Sequence, residues 1–330
     1  MLDAIDVQIV QSLQTDGRAS WTQIAKQIGI PTSTAFRRGA ALLEGNAILI
    51  AMLPTSKEGR VYEIRVRCRP GSQRAVAFRF AERPDTRWVA VVTGDYDVST
   101  ELVISRGGDL AEILIDQIQS DPDVLATDTT LVLGEHNIAN DWPRRFPARD
   151  EPLWAEHACS PDHLDSIDRS ILAELHEDGR RSYAAVAASL DLSENTVRRR
   201  CTGMFERRCV RVVTLVQPYS MGYNEELLIR LNVLPEHTDR AANALAHQNG
   251  VHHIASNFGA TSLVCELMLK SHHDLRTFMS DVVAKLPGLI QVSVEIELIV
   301  YKRGFLRCPW VSDEVGPTVV AVPSVSSAAS

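Results

Sequence analysis

The chain contains an internal repeat, and this repeat restricts the possible folds more than any other feature. A shift of 162 residues aligns the segment Leu2–Ile48 with Leu164–Val210 without a gap. Chance rarely produces such a match, so we expect two copies of one structural unit in a single chain. The identical positions, by their first-copy numbers, are Leu2, Asp3, Ile5, Asp6, Ile9, Leu13, Asp16, Gly17, Arg18, Ser20, Ala25, Thr34, Arg37, Arg38 and Glu44.

Each copy begins with a pattern that predicts three short helices. Asp3 is a candidate N-cap for the first helix, and Ser20 with Gln23 forms a capping-box pattern for the second. A tight turn at residues 29–32 precedes a third helix, expected at about residues 33–44. Three compact helices with a short turn before the last are typical of the helix-turn-helix motif, whose last helix enters the major groove of DNA. The corresponding caps in the second copy are Asp165, Ser182 and Ser193.

Strand and helix patterns alternate after each three-helix unit. A short β-rich run comes first, at residues 48–53 and 210–216, and is either a small wing or a strand that links to the next domain. The order that follows is βαββαβ, which predicts a ferredoxin-like domain with an antiparallel sheet. The predicted strands are 61–67, 88–93, 99–104 and 124–133 in the first copy and 226–233, 251–257, 262–270 and 290–301 in the second; the predicted helices are 73–80, 110–118, 239–248 and 274–285.

The expected fold class is therefore α+β, with two (winged) helix-turn-helix domains that are each followed by a ferredoxin-like βαββαβ domain. Apolar sheet faces, such as Trp88, Ala90 and Val92, are expected to bury each other within the chain or between chains. The expected boundaries are 1–54 and 162–217 for the helix-turn-helix domains, 60–134 and 224–303 for the ferredoxin-like domains, 135–161 for a linker and 309–330 for a disordered tail.

The composition excludes several classes of protein. No apolar run reaches the roughly 18 residues of a membrane span, and no basic leader is present, so we expect a cytoplasmic protein. The net charge of −8 argues against a protein that coats nucleic acid along its whole surface, but it permits a local basic face. The 6 cysteines lack CxxC spacing, so we expect free thiols, no metal site and no cofactor.

The motifs of the repeated unit resemble those of the Lrp/AsnC family of transcriptional regulators. The similar segments are Leu2–Asp6, Asp16–Ser20, the pair Arg37-Arg38 and the turn Thr93–Asp97. The resemblance implies DNA binding, an amino-acid-type effector bound by the ferredoxin-like domain, dimerisation through its sheets and larger assemblies. Ordinary members carry one copy per chain, so the duplication is a departure. The second-copy turn, 258–262, is another departure, because it lacks the acidic and aromatic residues.

The third helices carry the side chains that we expect to contact DNA. Arg can bind guanine through two hydrogen bonds, Asn can bind adenine in the same way, and Ser or Thr can donate to phosphate. A solvated charged helix face is the alternative. The second copy carries the run Arg198–Arg200, whereas the first has Gly39–Ala41, and Gly39 also lowers the helix propensity of the first copy. The second copy is therefore expected to dominate DNA affinity. The candidate DNA-binding residues are Ser33, Thr34, Arg37, Arg38, Asn195, Thr196, Arg198, Arg199 and Arg200.

The turn formed by Gly94, Asp95, Tyr96 and Asp97 is the candidate effector-binding site. Its two carboxylates and its aromatic face suit the ammonium group of an amino acid, and a plain hairpin turn is the alternative. At the start of the second helices, Trp21 and Tyr183 either pack on the first helix or touch the sugar–phosphate backbone.

These features together predict a sequence-specific regulator that responds to an amino acid or a related metabolite and is not an enzyme. Its expected partners are double-stranded DNA, the effector and further copies of itself, as a homodimer or larger. One alternative is an effector-binding scaffold that does not bind DNA. Another is a sirohaem-decarboxylase-like enzyme of the same architecture, at which only Gly250–His253 hints. The pairs His252-His253 and His272-His273 are not expected to chelate a metal, because neighbours on a strand point to opposite faces.

Overall fold

The computed structural model describes residues 2–55, 59–105, 107–138, 159 and 163–312. The first copy contains α1 (Ala4–Thr15), α2 (Trp21–Ile28), α3 (Thr32–Glu44), β1 (Ile48–Pro54), β2 (Arg60–Cys68), α4 (Gln73–Glu82), β3 (Thr86–Val92), β4 (Val98–Ile104) and β5 (Val124–Ile138). The second copy contains α5 (Ser166–Glu177), α6 (Tyr183–Ser189), α7 (Glu194–Glu206), β6 (Val210–Val216), β7 (Glu225–Val233), α8 (Thr238–Ala246), β8 (Val251–Phe258), β9 (Leu263–Leu269), α9 (His272–Asp281), β10 (Leu289–Arg303) and β11 (Leu306–Arg307). The predicted α+β fold class is confirmed.

The predicted N-caps form in both copies and determine where the helices begin. The Asp3 carboxylate accepts hydrogen bonds from two backbone N–H groups in the first turn of α1. Ser20 caps α2 within a complete capping box with Gln23. Such a cap contributes about 1 kcal/mol to helix stability. In the second copy the caps are Asp165, Ser182 and Ser193.

The β-rich runs after the third helices form linking strands. β1 and β6 pair with each other in antiparallel fashion, with Ile48 opposite Val216 and Pro54 opposite Val210. Because β1 belongs to the first copy and β6 to the second, this two-stranded ribbon joins the two helix-turn-helix units.

Each α/β module has the strand order of a ferredoxin-like sheet, β3-β4-β2-β5 in the first copy and β8-β9-β7-β10 in the second. The last strand of each module also crosses to the other copy, because β5 pairs with β8 and β10 pairs with β3. The eight strands therefore close into one antiparallel ring. A closed ring removes the free sheet edges at which a single module would pair with another molecule.

The two sheets also share a core within the chain. Trp88, Ala90 and Val92 of β3 are buried together with residues of the second copy such as Leu228 and Val264. The sheet faces that the sequence marks as apolar therefore bury each other inside one polypeptide, which makes the chain an intramolecular counterpart of a dimer.

Several segments differ from the sequence-based expectations. Residues 112–118 form a π-helix rather than an α-helix, and the N–H of Gln119 donates to the carbonyl of Leu114 at 2.8 Å. β5 continues to Ile138, into the expected linker, because its end pairs with β8. Trp310 belongs to the expected tail but packs against the shared sheet core. The remaining linker residues 139–158 and 160–161, and tail residues 313–330, lie outside the described residues.

The expectation of free thiols throughout is wrong for two cysteines. Cys159 and Cys209 are joined by a disulfide across a sequence separation of 50 residues. The other cysteines, Cys68, Cys201, Cys265 and Cys308, are free and buried. The spacing of these two cysteines along the chain does not predict the disulfide. They come together only when the second helix-turn-helix unit folds. Among the described residues, no helix is both long and apolar enough to cross a membrane.

Candidate nucleic-acid interface

Helices α3 and α7 each present a polar face to solvent near their N-terminal ends. Thr34 and Thr196 are half-buried at equivalent positions, and the Thr196 hydroxyl lies 2.8 Å from the hydroxyl of the cap Ser193. Residues one turn apart share a helix face, so these side chains form one surface on each helix. The exposed predicted residues are Ser33 and Arg37 on α3 and Asn195, Arg198 and Arg199 on α7.

Arg38 and Arg200 are not part of these exposed faces. Nη1 of Arg38 lies 2.6 Å from a carboxylate oxygen of Asp3 and 2.8 Å from one of Asp6. Arg200 makes the same contacts with the equivalent carboxylates, at 2.7 and 2.9 Å. Backbone hydrogen bonding from Asp6 and the Arg38 guanidinium hold the pKa of Asp3 below its usual value. In the folded protein each of these two arginines therefore ties the third helix of its unit to the first helix.

The ring of Trp21 packs against α3 at Gly39. A Cβ at position 39 would overlap atoms of the indole, so the mid-helix glycine makes room for the ring. Trp21 also meets the edge of Phe36, with ring centroids 6.3 Å apart, and Phe36 remains 57% exposed. Tyr183 and Cys201 take the equivalent positions in the second copy. Gly39 thus has a packing reason, which the sequence-based interpretation of a weakened helix missed.

The two helix-turn-helix units contact each other through the Asp-Gly-Arg loops that follow α1 and α5. Arg180 donates hydrogen bonds to two carbonyl oxygens of the first-copy loop at 2.7 and 2.9 Å, and Arg18 donates to the second-copy loop in the same way. Arg180 also lies 4.4 Å from the ring centre of Trp21, and Arg18 lies 4.5 Å from that of Tyr183. These reciprocal contacts, with the β1–β6 ribbon, hold α3 and α7 in one fixed relation.

The candidate effector turn connects β3 to β4 and is held by the strand beside it. One carboxylate oxygen of Asp97 accepts a hydrogen bond of 2.7 Å from the backbone N–H of Cys68. Gly94 has a φ of 110°, in the left-handed region that favours glycine. Asp97 therefore uses part of its hydrogen-bonding capacity to hold the turn, while Asp95 is exposed.

The aromatic residue of the turn is covered by cations. The Tyr96 ring lies 4.2 Å from the guanidinium carbon of Arg65 and 5.4 Å from that of Arg67. Arg67 also donates a hydrogen bond of 3.1 Å to the carbonyl of Asp95. Two strand arginines thus contact the turn and hold it against β2.

A buried charge network lies behind the turn and joins the two copies. Arg230 of β7 lies 2.7 Å from Glu63 of β2 and 2.9 Å from Glu295 of β10. Glu295 is also 3.0 Å from Arg65, the residue that covers Tyr96. Burial favours a raised pKa at Glu63, but the charge and hydrogen bond of Arg230 hold this pKa below its usual value. The sequence analysis missed this network, because charged residues on a strand normally indicate an exposed face.

A second buried cluster surrounds Arg303. Its guanidinium lies 3.2, 2.8 and 3.2 Å from carboxylates of Glu226, Glu266 and Glu297. Burial and the neighbouring Glu266 charge raise the pKa of Glu297 well above its usual value. Nε2 of His252 lies 2.8 Å from Glu266, so this histidine is part of the cluster.

A cavity of about 920 Å³ separates α5 from the first α/β module. Met52, Val103, Leu133, Leu172 and His176 are among the residues that line it. Burial lowers the pKa of His176, so its neutral form is favoured there. The sequence gives no indication of this cavity, because its walls come from segments that are far apart along the chain.

Both parts of the repeated unit match known family models. The AsnC-type helix-turn-helix domain matches residues 2–43 and again residues 164–204. The Lrp/AsnC ligand binding domain matches residues 63–140.

Curated relatives match less than half of the chain but nearly all of their own length. The chain is 33% identical over 145 residues to an uncharacterised HTH-type transcriptional regulator of Pyrococcus furiosus, across 44% of this chain and 98% of the relative. It is 32% identical over 146 residues to the HTH-type transcriptional regulator FL11 of Pyrococcus horikoshii, across 43% of this chain and 96% of the relative.

A solved structure resembles the whole chain. The siroheme decarboxylase NirDL overlaps 91% of this chain and 92% of its own, with a TM-score of 0.61 and 14% identity. At this identity the similarity concerns the fold alone.

Proposed function

The chain belongs to the Lrp/AsnC family of helix-turn-helix transcriptional regulators, and on this premise we propose that it binds double-stranded DNA through α3 and α7 together. The reciprocal contact of Arg18 and Arg180 with the opposite loops carries this proposal. It supports two recognition helices held at a fixed spacing, which is the arrangement that a pair of half-sites on DNA requires.

The two helices offer different chemistry to the bases. On α7, Arg199 suits guanine and Asn195 suits adenine. On α3, Arg37 suits guanine, while Phe36 offers an apolar contact to a thymine methyl group. With more exposed polar donors, α7 supplies the larger share of the affinity. The full set of proposed contact residues is Ser33, Thr34, Phe36, Arg37, Asn195, Thr196, Arg198 and Arg199.

The effector is an amino acid or a related metabolite, bound at the turn Gly94–Asp97. The exposed carboxylate of Asp95 supports this role, because it is placed to accept hydrogen bonds from an ammonium group. Tyr96 is linked through Arg65 to the charge network between the copies, so a ligand on the turn would act on the contact between them.

Calorimetry with the 20 common amino acids tests this site against the cavity beside α5. We expect Asp95→Asn to abolish heat release from the amino acid that binds, whereas Ala173→Trp, which places a bulky side chain in the cavity, leaves this heat release unchanged. The opposite pattern would place the effector in the cavity.

Two chains associate further through the outer sheet surfaces. Exposed apolar side chains recur at equivalent places on the two long strands, and large exposed apolar patches often mark contact sites. They are Leu125 and Leu133 on β5, with 57% and 62% exposure, and Ile290 and Leu298 on β10, with 61% and 57%. Light scattering at micromolar concentration tests this association. A dimer of chains is expected, and a strictly monomeric particle would contradict it.

The protein acts without catalysis. The sirohaem-decarboxylase alternative would need an available histidine in Gly250–His253, but His252 is buried against Glu266 and His253 is half-buried within β8. Purified protein mixed with an iron porphyrin is therefore expected to show the spectrum of the free porphyrin. A shifted Soret band that disappears in His252→Ala or in His253→Ala would favour the enzyme instead.

A genome-wide pull-down of DNA by the purified protein tests the central proposal. We expect enrichment of a limited set of sites, and loss of that enrichment in the double variant Arg37→Ala/Arg199→Ala. In gel shifts on an enriched site, the logarithm of the affinity should fall with the logarithm of the salt concentration, with a slope of about −0.9 for each phosphate contact that the protein makes. An absence of retained DNA would favour the scaffold alternative, and retention of DNA without any enriched sequence, or a flat salt dependence, would contradict sequence-specific binding.

A further inference from the structure

Cys159, His163 and Cys209 converge at one end of the second helix-turn-helix unit. Their side-chain donor atoms all lie within 4.8 Å of one another. Nδ1 of His163 is 3.4 Å from Sγ of Cys159 and 4.0 Å from Sγ of Cys209. Both sulfurs are buried, while the histidine is exposed.

The position of the histidine is not explained by the disulfide, which requires no third group. Two thiolates and one imidazole form a donor set that suits Zn²⁺ and related ions. The first copy does not share these donors, because Ala47 stands at the position equivalent to Cys209 and Met1 at that of His163. The cluster is therefore an addition to the second copy rather than part of the repeated fold.

We propose that Cys159, His163 and Cys209 of the reduced protein bind a thiophilic divalent metal ion of the Zn²⁺ class. Three protein ligands leave the fourth tetrahedral position open to water or to another ligand, as in exchangeable rather than closed structural sites. Two sulfurs on one tetrahedral Zn²⁺ lie roughly 3.8 Å apart, so the sulfurs must separate after reduction. The Cα atoms are 4.7 Å apart, and rotation about the two Cα–Cβ bonds supplies that separation.

The disulfide and the metal site are alternative states of the same two sulfur atoms. A trialkylphosphine with water breaks the Sγ–Sγ bond and yields two thiols and the phosphine oxide. Metal binding then displaces the two thiol protons, so affinity increases with pH. A small-molecule disulfide reverses the process: it accepts two electrons from the two thiolates and two protons from solvent and becomes two thiols, while the Sγ–Sγ bond forms again and the ion leaves.

The site is attached to the end of α7. The N–H of Cys209 donates to the carbonyl of Met204 in the last turn of α7 at 2.8 Å, and its carbonyl accepts from Thr55 at 2.9 Å. Cys159 precedes α5 in the chain. A bound ion therefore connects the start of the second helix-turn-helix unit to the end of its third helix. The metal site itself does not depend on the proposed DNA binding.

Titration of the phosphine-reduced full chain with Co²⁺ tests the proposal, because thiolate–Co²⁺ bonds absorb in the near ultraviolet. We expect one Co²⁺ per chain, displaced by Zn²⁺, and no such absorption in Cys159→Ser or Cys209→Ser. His163→Asn should weaken binding by roughly tenfold or more. Cys68→Ser and His273→Asn are the matched controls and should bind as the wild type does.

X-ray absorption on the Zn²⁺-loaded wild-type protein needs no variant and gives an independent readout. Two sulfur neighbours and one imidazole nitrogen are expected. A coordination shell without sulfur, an absence of Co²⁺ binding by the reduced wild type, or unchanged affinity in His163→Asn would each overturn the proposal.

Discussion

Arg199 and Arg200 are neighbours on α7, yet Arg199 is exposed and Arg200 bridges α7 to the start of α5 through Asp165 and Asp168. The same division separates Arg37 from Arg38 on α3. Substitution of one arginine in each pair therefore tests DNA contact, and substitution of the other tests the stability of the unit.

Arg199→Ala is expected to weaken operator binding by about 1–3 kcal/mol, because an exposed guanidinium at this place can make two hydrogen bonds to guanine. The melting temperature of the Arg199→Ala protein should equal that of the wild type. Arg37→Ala should cost less, since α3 offers fewer polar donors. Gel shifts at fixed salt measure both losses, and equal losses would contradict the expected dominance of the second copy.

Arg200→Gln should reduce the acid dependence of stability in the second unit. Backbone hydrogen bonding from Asp168 and the Arg200 guanidinium lower the pKa of Asp165 in the folded protein. A carboxylate with a lowered folded pKa stabilises the fold above its unfolded pKa, and that stabilisation is lost as the pH falls through the folded pKa. Melting temperatures between neutral and acidic pH should therefore fall less in Arg200→Gln than in the wild type. An identical dependence of melting temperature on pH in the two proteins would show that the ion pair does not contribute to stability.

Gly39→Ala should destabilise the first helix-turn-helix unit, although alanine is the better helix former by about 1 kcal/mol. The added methyl group would overlap the Trp21 ring, and overpacking of this kind costs about 1–3 kcal/mol. Gly203→Ala in α7 is the matched control, because its Cβ would meet only the mobile end of Arg207, at 3.1 Å. Thermal unfolding should separate the two variants, and equal stabilisation of both would refute the packing argument.

Glu297→Gln should stabilise the protein at neutral pH. Burial and the Glu266 charge raise the folded pKa of Glu297, so the wild type loses stability as the pH rises from the unfolded pKa through the folded one. Each pKa unit of such a shift corresponds to about 1.4 kcal/mol. Chemical denaturation at several pH values should show a weaker decline in the variant.

Glu63→Gln is the matched control for that experiment, because Arg230 lowers rather than raises the pKa of Glu63. Removal of the Glu63 charge should destabilise the protein at neutral pH, because Arg230 loses a buried partner. If both substitutions stabilised the protein, the Glu63 carboxylate would not be stabilised by Arg230 as their contact indicates, and the contrast with Glu297 would be wrong.

The local features of the fold were predictable from the sequence. Asp3, Ser20 and Ser193 cap helices where their side-chain chemistry predicts, since a cap acts over only three or four residues. The βαββαβ order follows from periodicity, which is also a local property.

Contacts between distant segments were not predictable in the same way. Arg38 and Arg199 have the same residue type on equivalent helices, but only the folded unit shows that the first one meets Asp3 and Asp6. The pairing of β5 with β8 depends on the other copy, and the Cys159–Cys209 disulfide on the closing of a three-helix unit. Each of these depends on tertiary packing that no short window of sequence contains.

The fixed pairing of α3 with α7 has a consequence for the symmetry of the DNA site. A homodimer presents the same residues twice and therefore selects palindromic operators. Here Phe36 on one helix stands where Arg198 stands on the other, and Ser33 where Asn195 stands. Both helices belong to one chain, so every bound chain presents one α3 and one α7, and never two copies of the same helix. Under the proposed joint binding of α3 and α7, the two half-sites that one chain contacts are thus free to diverge into a non-palindromic sequence, which gives each chain a defined direction along the DNA.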